Sequence, residues 1–461
     1  LDHQVAGGGI GCHGMSAMLS DSNRGYLFCT HMGAEGVPFI GMSPFVARKH
    51  MVQNMGDGTY FHSGSIAIQS SIAAGVNITY KILYNGHVAM TGGQKATGML
   101  PIPELTRKLE AEGVKKTVVL TDDVTRYLDG APLASNAEAL DRNEIERVLG
   151  ELEKIEGVTV IVYDQQCAAE KRRMRSRGTL PEPTRRLVIH PEVCEGCGDC
   201  VKQSNCMSLH PVETPLGQKI QIHQSSCNKD YSCALGDCPS FVSIRIEEGS
   251  GLKKRQLQVL PAAEVPPPRG VVRPGAVYRI LMPGIGGTGV VTINALLATA
   301  AMLDGLHVAT LDQTGLAQKG GAVLSHLTIA ETPIDTAVRT NTGNADLILG
   351  FDLLGSANSE TLKCATQGKT VAVVNTSHVP TGEEIRKRKV LAGPERLVES
   401  IDVQTTRGRN LYIDATRLAE SLFGSHLAVN MFLMGAAFQA GLLPVSQASL
   451  EQAIRLNGVE V

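Results

Sequence analysis

Apolar positions along the chain follow two rhythms. Short apolar and β-branched runs at Met51–Met55, Ile78–Leu83, Val118–Leu120 and Val158–Tyr163 have the length and composition of buried strands, and Val37–Phe45 precedes them as another apolar stretch. A helix-like segment at about Ser63–Ala74 and an amphipathic one at Arg142–Ile155 lie between them. Strands alternating with helices predict an α/β fold with a mainly parallel sheet, here over residues 1–183. A second series starts near residue 276. It has a strand at Val277–Met282, a helix through about Leu303 and further strands at Val308–Leu311, Ala345–Leu349 and Thr370–Val374; apolar helices follow Leu427. The intervening stretch, 184–250, opens on Leu187–Ile189 and is short of large apolar residues. Pro266–Pro268 and Pro274 make 251–275 a stiff linker. No internal repeat is evident.

With 461 residues, the chain has room for three such domains. Its net charge of −2 argues against a nucleic-acid partner. The basic runs Lys171–Arg175 and Lys253–Arg255 read as solvated faces, with docking of an acidic electron carrier as the weaker alternative. No apolar run reaches the roughly 18 residues a membrane span needs, and the expected location is cytoplasmic. The chain enters a glycine-rich run at Gly7 straight from Leu1 and ends at Val461 without a closing element. It therefore reads as an internal piece of a longer polypeptide.

Cysteine changes the picture most. Seven of the 11 cysteines lie between Cys194 and Cys238, as Cys194-x2-Cys197-x2-Cys200-x5-Cys206 and Cys227-x5-Cys233-x4-Cys238-Pro239. A thiolate at every third residue lets one loop hold three corners of a cubic iron–sulfur cluster, and a distant Cys-Pro closes it. This assigns Cys194, Cys197, Cys200 and Cys238 to one [4Fe–4S] cluster. Cys206, Cys227 and Cys233 are left for a second, one ligand short. That leaves open a non-cysteine ligand, a three-iron cluster or no second cluster. Zinc prefers two separated Cys-x2-Cys pairs and fits less well. With clusters bound, metal affinity would stand in for a hydrophobic core in this segment.

The other chemistry is carried by glycine turns. Gly56-Asp57-Gly58 follows one predicted strand, and Asn85 ends the next after 26 intervening residues. A carboxylate and an amide at neighbouring strand ends offer hard oxygen donors suited to Mg2+, which would bridge to a diphosphate. Glycines there let the backbone approach phosphate. Gly-Asp-Gly alone is also an ordinary turn. Farther on, Gly284-x-Gly286-Gly287-x-Gly289 joins a strand to a helix, and Asp312 ends the next strand, the order of a dinucleotide-binding unit. The competing reading is a Rossmann-like domain whose glycines (Gly284, Gly286, Gly289) serve tight packing or another phosphate-bearing ligand, and this reading is preferred.

Gly56-Asp57-Gly58…Asn85 followed by Thr91-Gly92-Gly93-Gln94 resembles the thiamine diphosphate segment of the 2-oxoacid:ferredoxin oxidoreductases. Gly9–His13 and Thr30–Gly33 are similar to other segments of that domain, and Thr314–Gly321 to the family's gamma domain. With the cysteine block, the chain most resembles the indolepyruvate branch in its fused bacterial form. The resemblance implies a thiamine-binding doubly wound domain, a small ferredoxin-like iron–sulfur domain and a Rossmann-like gamma domain. It implies Asp57 and Asn85 as Mg2+ ligands with the His87 carbonyl as a third. Gly56, Gly58 and Thr91 would line the cofactor pocket, and Cys12 and His13 would lie near the thiazolium, with a structural role for both as the alternative. The implied reaction is oxidative decarboxylation of a 2-oxoacid, with coenzyme A as acyl acceptor and ferredoxin as electron acceptor. A domain to hold the pyrimidine ring has no counterpart in the sequence and is expected in cis or in trans, and a homodimer is the usual assembly. The reading from another class is a non-catalytic electron-transfer or assembly module; within the enzyme class, pyruvate or 2-oxoglutarate are the other substrates.

Overall fold

The computed structural model describes residues 3–18, 25–90, 93–128, 130–176, 178–247, 266–270, 272–273, 277–315, 321–388, 393–423 and 426–458. Thr91, most of the 251–275 linker, the Lys253–Arg255 run and 316–320 of the Thr314–Gly321 segment lie outside them. The chain divides into two compact units, Leu1–Pro181 and Glu182–Val461.

The first unit is built on a seven-stranded sheet. Its strands, in spatial order, are Tyr26–Cys29, Ala6–Gly8, Met51–Gly56, Ile78–Tyr84, Val158–Asp164, Lys116–Thr121 and Ala137–Asp141. Every pairing is parallel. Ile78–Tyr84 and its neighbour Val158–Asp164 are buried on both faces, with Ile78, Tyr80, Ile82 and Val160 inaccessible on one and Thr79 and Ile161 on the other, which explains their largely apolar and β-branched composition. The polar groups this buries are paired, as where Thr79 Oγ1 meets Thr159 Oγ1 at 2.8 Å and His50 Nε2 at 2.8 Å. The glycine run is itself a strand, Ala6–Gly8, rather than a turn awaiting one. A side chain there has no room: a Cβ at Gly7 would lie 2.0 Å from Gln53 Oε1, and one at Gly8 2.6 Å from the Tyr26 ring. After Ala6–Gly8 the chain moves outward to Tyr26–Cys29, then returns to the other side at Met51–Gly56. The winding therefore reverses between Ala6–Gly8 and Met51–Gly56, the kind of switch point beside which open α/β sheets bind ligands.

The second unit holds the cysteine segment and a six-stranded sheet. In the former, Arg185–Ile189 pairs antiparallel with Phe241–Arg245, and Leu209–Thr214 forms a hairpin with Gly217–Ile222. Leu187, Ile189, Val201, Leu209, Ile220 and Ile222 pack with the Cys194 and Cys200 thiols, so a small apolar core exists here beside the cysteines. The larger sheet runs His307–Thr314, Ala322–Ala330, Tyr278–Ile285, Leu347–Gly350, Val371–Asn375, Leu411–Ile413. Its last four strands are parallel, and Ala322–Ala330 is antiparallel to both neighbours. This corrects the dinucleotide-binding reading. There the second strand adjoins the first; here Ala322–Ala330 is inserted between them, carrying Asp312 one strand away from the glycine turn.

Among the described residues no helix is long and apolar enough to cross a membrane.

Candidate functional site

Asp57 follows the strand Met51–Gly56 directly, and Asn85 follows its neighbour Ile78–Tyr84. The parallel register places Gly56 opposite Leu83, so both residues emerge at the same sheet edge. The Asp57 carboxylate then ties the two turns together. Its Oδ1 accepts from the Gly58 N–H at 2.7 Å, and its Oδ2 accepts from Asn85 at 2.8 Å and Gly86 at 2.7 Å. Asn85 Oδ1 accepts from the His87 N–H at 2.9 Å, shaping the turn whose carbonyls follow. Gly58 faces Val88, whose Cγ2 would be 3.2 Å from a Cβ at that glycine. Asp57 is 2% exposed, and burial raises its pKa against the opposing pull of the three N–H groups.

These residues fit a magnesium diphosphate. A buried carboxylate whose charge burial disfavours gains most from a hard cation, and the adjacent amide and backbone carbonyls are oxygen donors of the kind Mg2+ takes. Among the described residues no three His, Cys, Asp or Glu side chains converge as ligands of one ion.

The loop after Ala6–Gly8 reaches the same edge. Thr59 Oγ1 donates to the Ile10 carbonyl at 3.4 Å. A Cβ at Gly56 would lie 4.0 Å from His13 Cε1, so the imidazole sits beside the Gly-Asp-Gly turn. Burial, and then Lys81, lower the His13 pKa to about 4, making the ring neutral at physiological pH. Its Nε2 is buried with no hydrogen-bond partner among the described residues. Cys12 is half-buried at the start of the short helix Cys12–Met18.

Sequence reasoning missed two members of this region. Glu35 is fully buried, and its Cγ would be 2.9 Å from a Cβ at Gly9; its Oε2 accepts from the Gly33 N–H at 2.8 Å. Burial raises its pKa. Lys81 lies within the strand Ile78–Tyr84, and burial lowers its pKa. A carboxylate between two glycines at Gly33–Gly36, and a lysine inside an apolar strand, were the available signals.

The cysteines lie close together and influence one another in two overlapping sets. Burial first, and then the neighbouring Cys238, Cys194 and Cys197 thiols, push the Cys200 thiol up to about 11. Burial and then Cys206 and Cys227 push Cys233 up to about 12. Cys206, Cys227 and Cys233 line one pocket together with Leu187, Ser208 and Asp230. Thiols this reluctant to ionise become good ligands only where a metal compensates the charge. The segment holding the first set is pinned from within its unit: Lys219 Nζ donates to the Cys194 carbonyl at 2.6 Å, and Arg388 Nη1 donates to the carbonyls of Gly196, at 3.0 Å, and Cys197.

At the second glycine turn, Gly284 belongs to the strand Tyr278–Ile285, and Gly289, at φ +97°, caps the helix Val290–Leu303. A Cβ at Gly284 would lie 2.5 Å from Val290 Cγ2 and 3.2 Å from Phe351 Cβ, so this glycine serves helix–strand packing. The Gly286 N–H donates to the Gly321 carbonyl at 2.8 Å. Asp312 binds Asn294 Nδ2 at 2.9 Å and the Ser325 hydroxyl, so its carboxylate joins helix to sheet.

Adjacent parallel strand ends that carry Gly-Asp-Gly and an asparagine, tied together by the Asp57 carboxylate, have the form of a diphosphate-binding site. Residues 9–162 match the family model "Thiamine pyrophosphate enzyme, C-terminal TPP binding domain". Residues 279–458 match "Pyruvate ferredoxin/flavodoxin oxidoreductase". Together the two matches support a member of the 2-oxoacid:ferredoxin oxidoreductase family, matched over part of its length.

Its relatives include indolepyruvate oxidoreductase subunit IorB of Archaeoglobus fulgidus, 29% identical over 183 residues, which span 38% of this chain and 84% of that protein. Subunit IorA of Thermococcus kodakarensis is 27% identical over 200 residues, spanning 43% of this chain and only 28% of IorA. Among solved structures, the pyruvate oxidoreductase subunit PORC of Thermotoga maritima aligns over 40% of this chain and 85% of its own, at 18% identity and a TM-score of 0.27.

Proposed function

We propose that this chain carries the thiamine-binding, electron-transfer and gamma parts of a cytoplasmic enzyme. That enzyme oxidatively decarboxylates a 2-oxoacid, an aryl pyruvate such as indolepyruvate, to an acyl-CoA and CO2, and delivers the electrons to ferredoxin. The observation that carries this reading is the Asp57 carboxylate bonded to the Asn85 turn at adjacent strand ends, in one chain with two overlapping sets of thiols. In this reading Asp57, Asn85 and the His87 carbonyl hold Mg2+, and Gly56, Gly58 and Thr91 line the diphosphate pocket. Thiamine diphosphate, when bound, supplies the carbon nucleophile and the electron sink for loss of CO2.

The chain's own residues orient and shield. The Asp57 clamp fixes the two turns before the cofactor arrives, so little ordering remains to be done on binding. Neutral His13, with an unpartnered Nε2 beside Gly56, offers one hydrogen-bonding atom at this sheet edge without adding charge; Cys12 adjoins it. Cys194, Cys197, Cys200 and Cys238 hold a [4Fe–4S] cluster, and Cys206, Cys227 and Cys233 belong to a second. Gly286 and Gly289 open the gamma domain's turn to coenzyme A or another phosphate-bearing ligand, while Gly284 packs. The names of the IorA and IorB relatives support the aryl substrate.

Activity requires a pyrimidine-holding domain, in cis or in trans, and the active assembly is dimeric. The test is reduction of a one-electron dye with coenzyme A and each of indolepyruvate, phenylpyruvate, pyruvate and 2-oxoglutarate. It is run on this chain alone and with the pyrimidine-holding part supplied. We expect turnover only with that part and highest kcat/KM for an aryl substrate. Steady turnover by the chain alone, or preference for pyruvate, overturns the corresponding statement; no thiamine diphosphate binding in either form overturns the enzyme reading.

A further inference from the structure

Two loops in the cysteine segment share one conformation, residue by residue. The first runs Cys194-Glu195-Gly196-Cys197-Gly198-Asp199-Cys200, and the second Cys227-Asn228-Lys229-Asp230-Tyr231-Ser232-Cys233. In the first, Gly196 and Gly198 are left-handed, at φ +68° and +76°; in the second, Lys229 and Tyr231 are, at +58° and +61°. The third residue of each loop donates its N–H to the first residue's sulfur: Gly196 to Cys194 Sγ at 3.4 Å, and Lys229 to Cys227 Sγ at 3.4 Å. The fifth residue of each caps a helical turn, Gly198 for Asp199–Ser204 and Tyr231 for Ser232–Ala234. The sequence showed no repeat because the four non-cysteine positions that shape the loop differ in residue type.

Register then gives every residue a counterpart. Cys227 matches Cys194, Cys233 matches Cys200, and Asp230 stands where the first loop has Cys197. Both middle residues are exposed, in contrast to the flanking cysteines. The left-handed conformation suits glycine and costs other residues about 1 kcal/mol or more each. Lys229 and Tyr231 are two of only four non-glycine residues with positive φ among those described. Holding two such residues on either side of Asp230 conserves the shape of a ligand-presenting loop where glycine is missing. Asp230 also lines the pocket that contains Cys206, Cys227 and Cys233. Its Oδ1 accepts from the Ser232 N–H at 3.1 Å and hydroxyl at 2.9 Å, which orients the carboxyl group.

We propose that Asp230 is the fourth ligand of a second [4Fe–4S] cluster, completing the set Cys206, Cys227 and Cys233. The assignment rests on the reading of the cysteine segment as a cluster-binding unit. It closes the count symmetrically: each loop gives three ligands to its own cluster, and the cysteine that follows it (Cys206 or Cys238) goes to the other, as in two-cluster ferredoxins. A carboxylate is a harder and weaker ligand for iron than a thiolate, so the iron held by Asp230 is the site of this cluster most readily exchanged.

The test is iron and acid-labile sulfide content, with an EPR-monitored redox titration, on the full chain purified and reconstituted without oxygen. Wild type is expected to hold about eight irons in two clusters. Asp230→Cys should keep that number and shift the potential of one cluster only. Asp230→Ala should lose between one and four irons from that same cluster and leave the other signal unchanged. Cys197→Ser should perturb the other signal instead. Eight irons and two unmoved potentials in both Asp230 variants would overturn the assignment of Asp230. About four irons in wild type, insensitive to Cys206→Ser, would overturn the second cluster while leaving the first. Absence of iron under all conditions would overturn the underlying reading itself.

Discussion

Replacing Asp57 with asparagine separates the structural work of this carboxylate from its work on a cation. Three backbone donors converge on it, from Gly58, Asn85 and Gly86. Asparagine has one acceptor oxygen. Turned towards Asn85 and Gly86 it keeps two bonds and sets its NH2 against the Gly58 N–H; turned the other way it abandons two donors. The first orientation wins, and the expected loss is one unsatisfied buried donor, about 1–3 kcal/mol. Urea unfolding of the cofactor-free protein measures it. Loss of the charge has a second effect. At about 4 Å and an effective dielectric constant near 20, each unit of cation charge contributes about 4 kcal/mol of attraction. Desolvation offsets part of this, and we expect Mg2+-dependent thiamine diphosphate affinity to fall about a hundredfold, roughly 2.7 kcal/mol. Calorimetric titration with the pyrimidine-holding part present is the assay.

The pH dependence has a defined sign. Burial raises the Asp57 pKa, so the folded, cofactor-free state holds this proton more tightly than the unfolded chain does. Its contribution to stability is present below the ordinary carboxylate pKa and is lost as pH rises through the raised value. Mg2+ displaces the proton, so cofactor binding tightens over the same interval. Undiminished affinity in Asp57→Asn, or affinity independent of pH through that interval, would refute the reasoning; an unchanged unfolding midpoint would refute the clamp.

Three other expectations follow from contacts elsewhere. Arg388→Ala removes a cation that donates to the carbonyls of Gly196 and Cys197; under the proposed reading a reduced cluster on this loop would lose stabilisation, and its potential should fall by about 30–60 mV in an EPR titration, with Arg388→Lys recovering part of the shift. Gly284→Ala puts a Cβ 2.5 Å from Val290 Cγ2 and should destabilise the gamma domain by about 1–3 kcal/mol in thermal unfolding; unchanged stability with lost coenzyme A binding would reverse the assignment of this glycine to packing. Burial, followed by Lys81 for His13, His223 for His210 and Arg339 for His326, lowers each of these histidines to about 4. Their folded forms bind fewer protons than the unfolded chain between about pH 6.5 and 4, so stability should be lost as pH falls through that window, and His13→Gln should flatten part of the acid limb.

Much of the architecture was legible because burial on both faces makes strands largely apolar and β-branched along their length. Ile78–Leu83 and Val158–Tyr163 differ from the observed strands, Ile78–Tyr84 and Val158–Asp164, by a single residue at one end. The helix Ile102–Glu112 went unread, although Pro101 and Pro103 at its start, Gly113 at φ +103° after it, and buried Ile102, Leu105, Thr106 and Leu109 on one face are ordinary signals. Ala137–Asp141 is an edge strand with alanine and acidic residues at most positions, so its pairing comes from its neighbour rather than from its own propensity. The antiparallel Ala322–Ala330 was hidden for another reason: Ser325, His326 and Thr328 are buried within it, Ser325 bonded to Asp312 and His326 to Gln313 and the Thr340 N–H, leaving neither alternation nor an apolar run.

The site divides the same way. Candidate ligand residues stood out by their spacing, because thiolates every third residue and a carboxylate between glycines are patterns that such chemistry demands of the chain locally. What the spacing did not convey was backbone conformation. Gly196 and Gly198 announce a left-handed loop, but Lys229 and Tyr231 adopt it without announcing it. The strain of doing so is supported by the surrounding fold, through the Lys229 N–H on Cys227 Sγ and the Tyr231 hydroxyl donating to the Arg185 carbonyl at 2.9 Å. A ligand that differs from its counterpart in residue type, on a loop that differs in composition, is visible only when the two backbones are compared. That comparison places Asp230 opposite Cys197, and an aspartate that looks like a surface residue in the sequence becomes the residue on which the proposed second cluster turns.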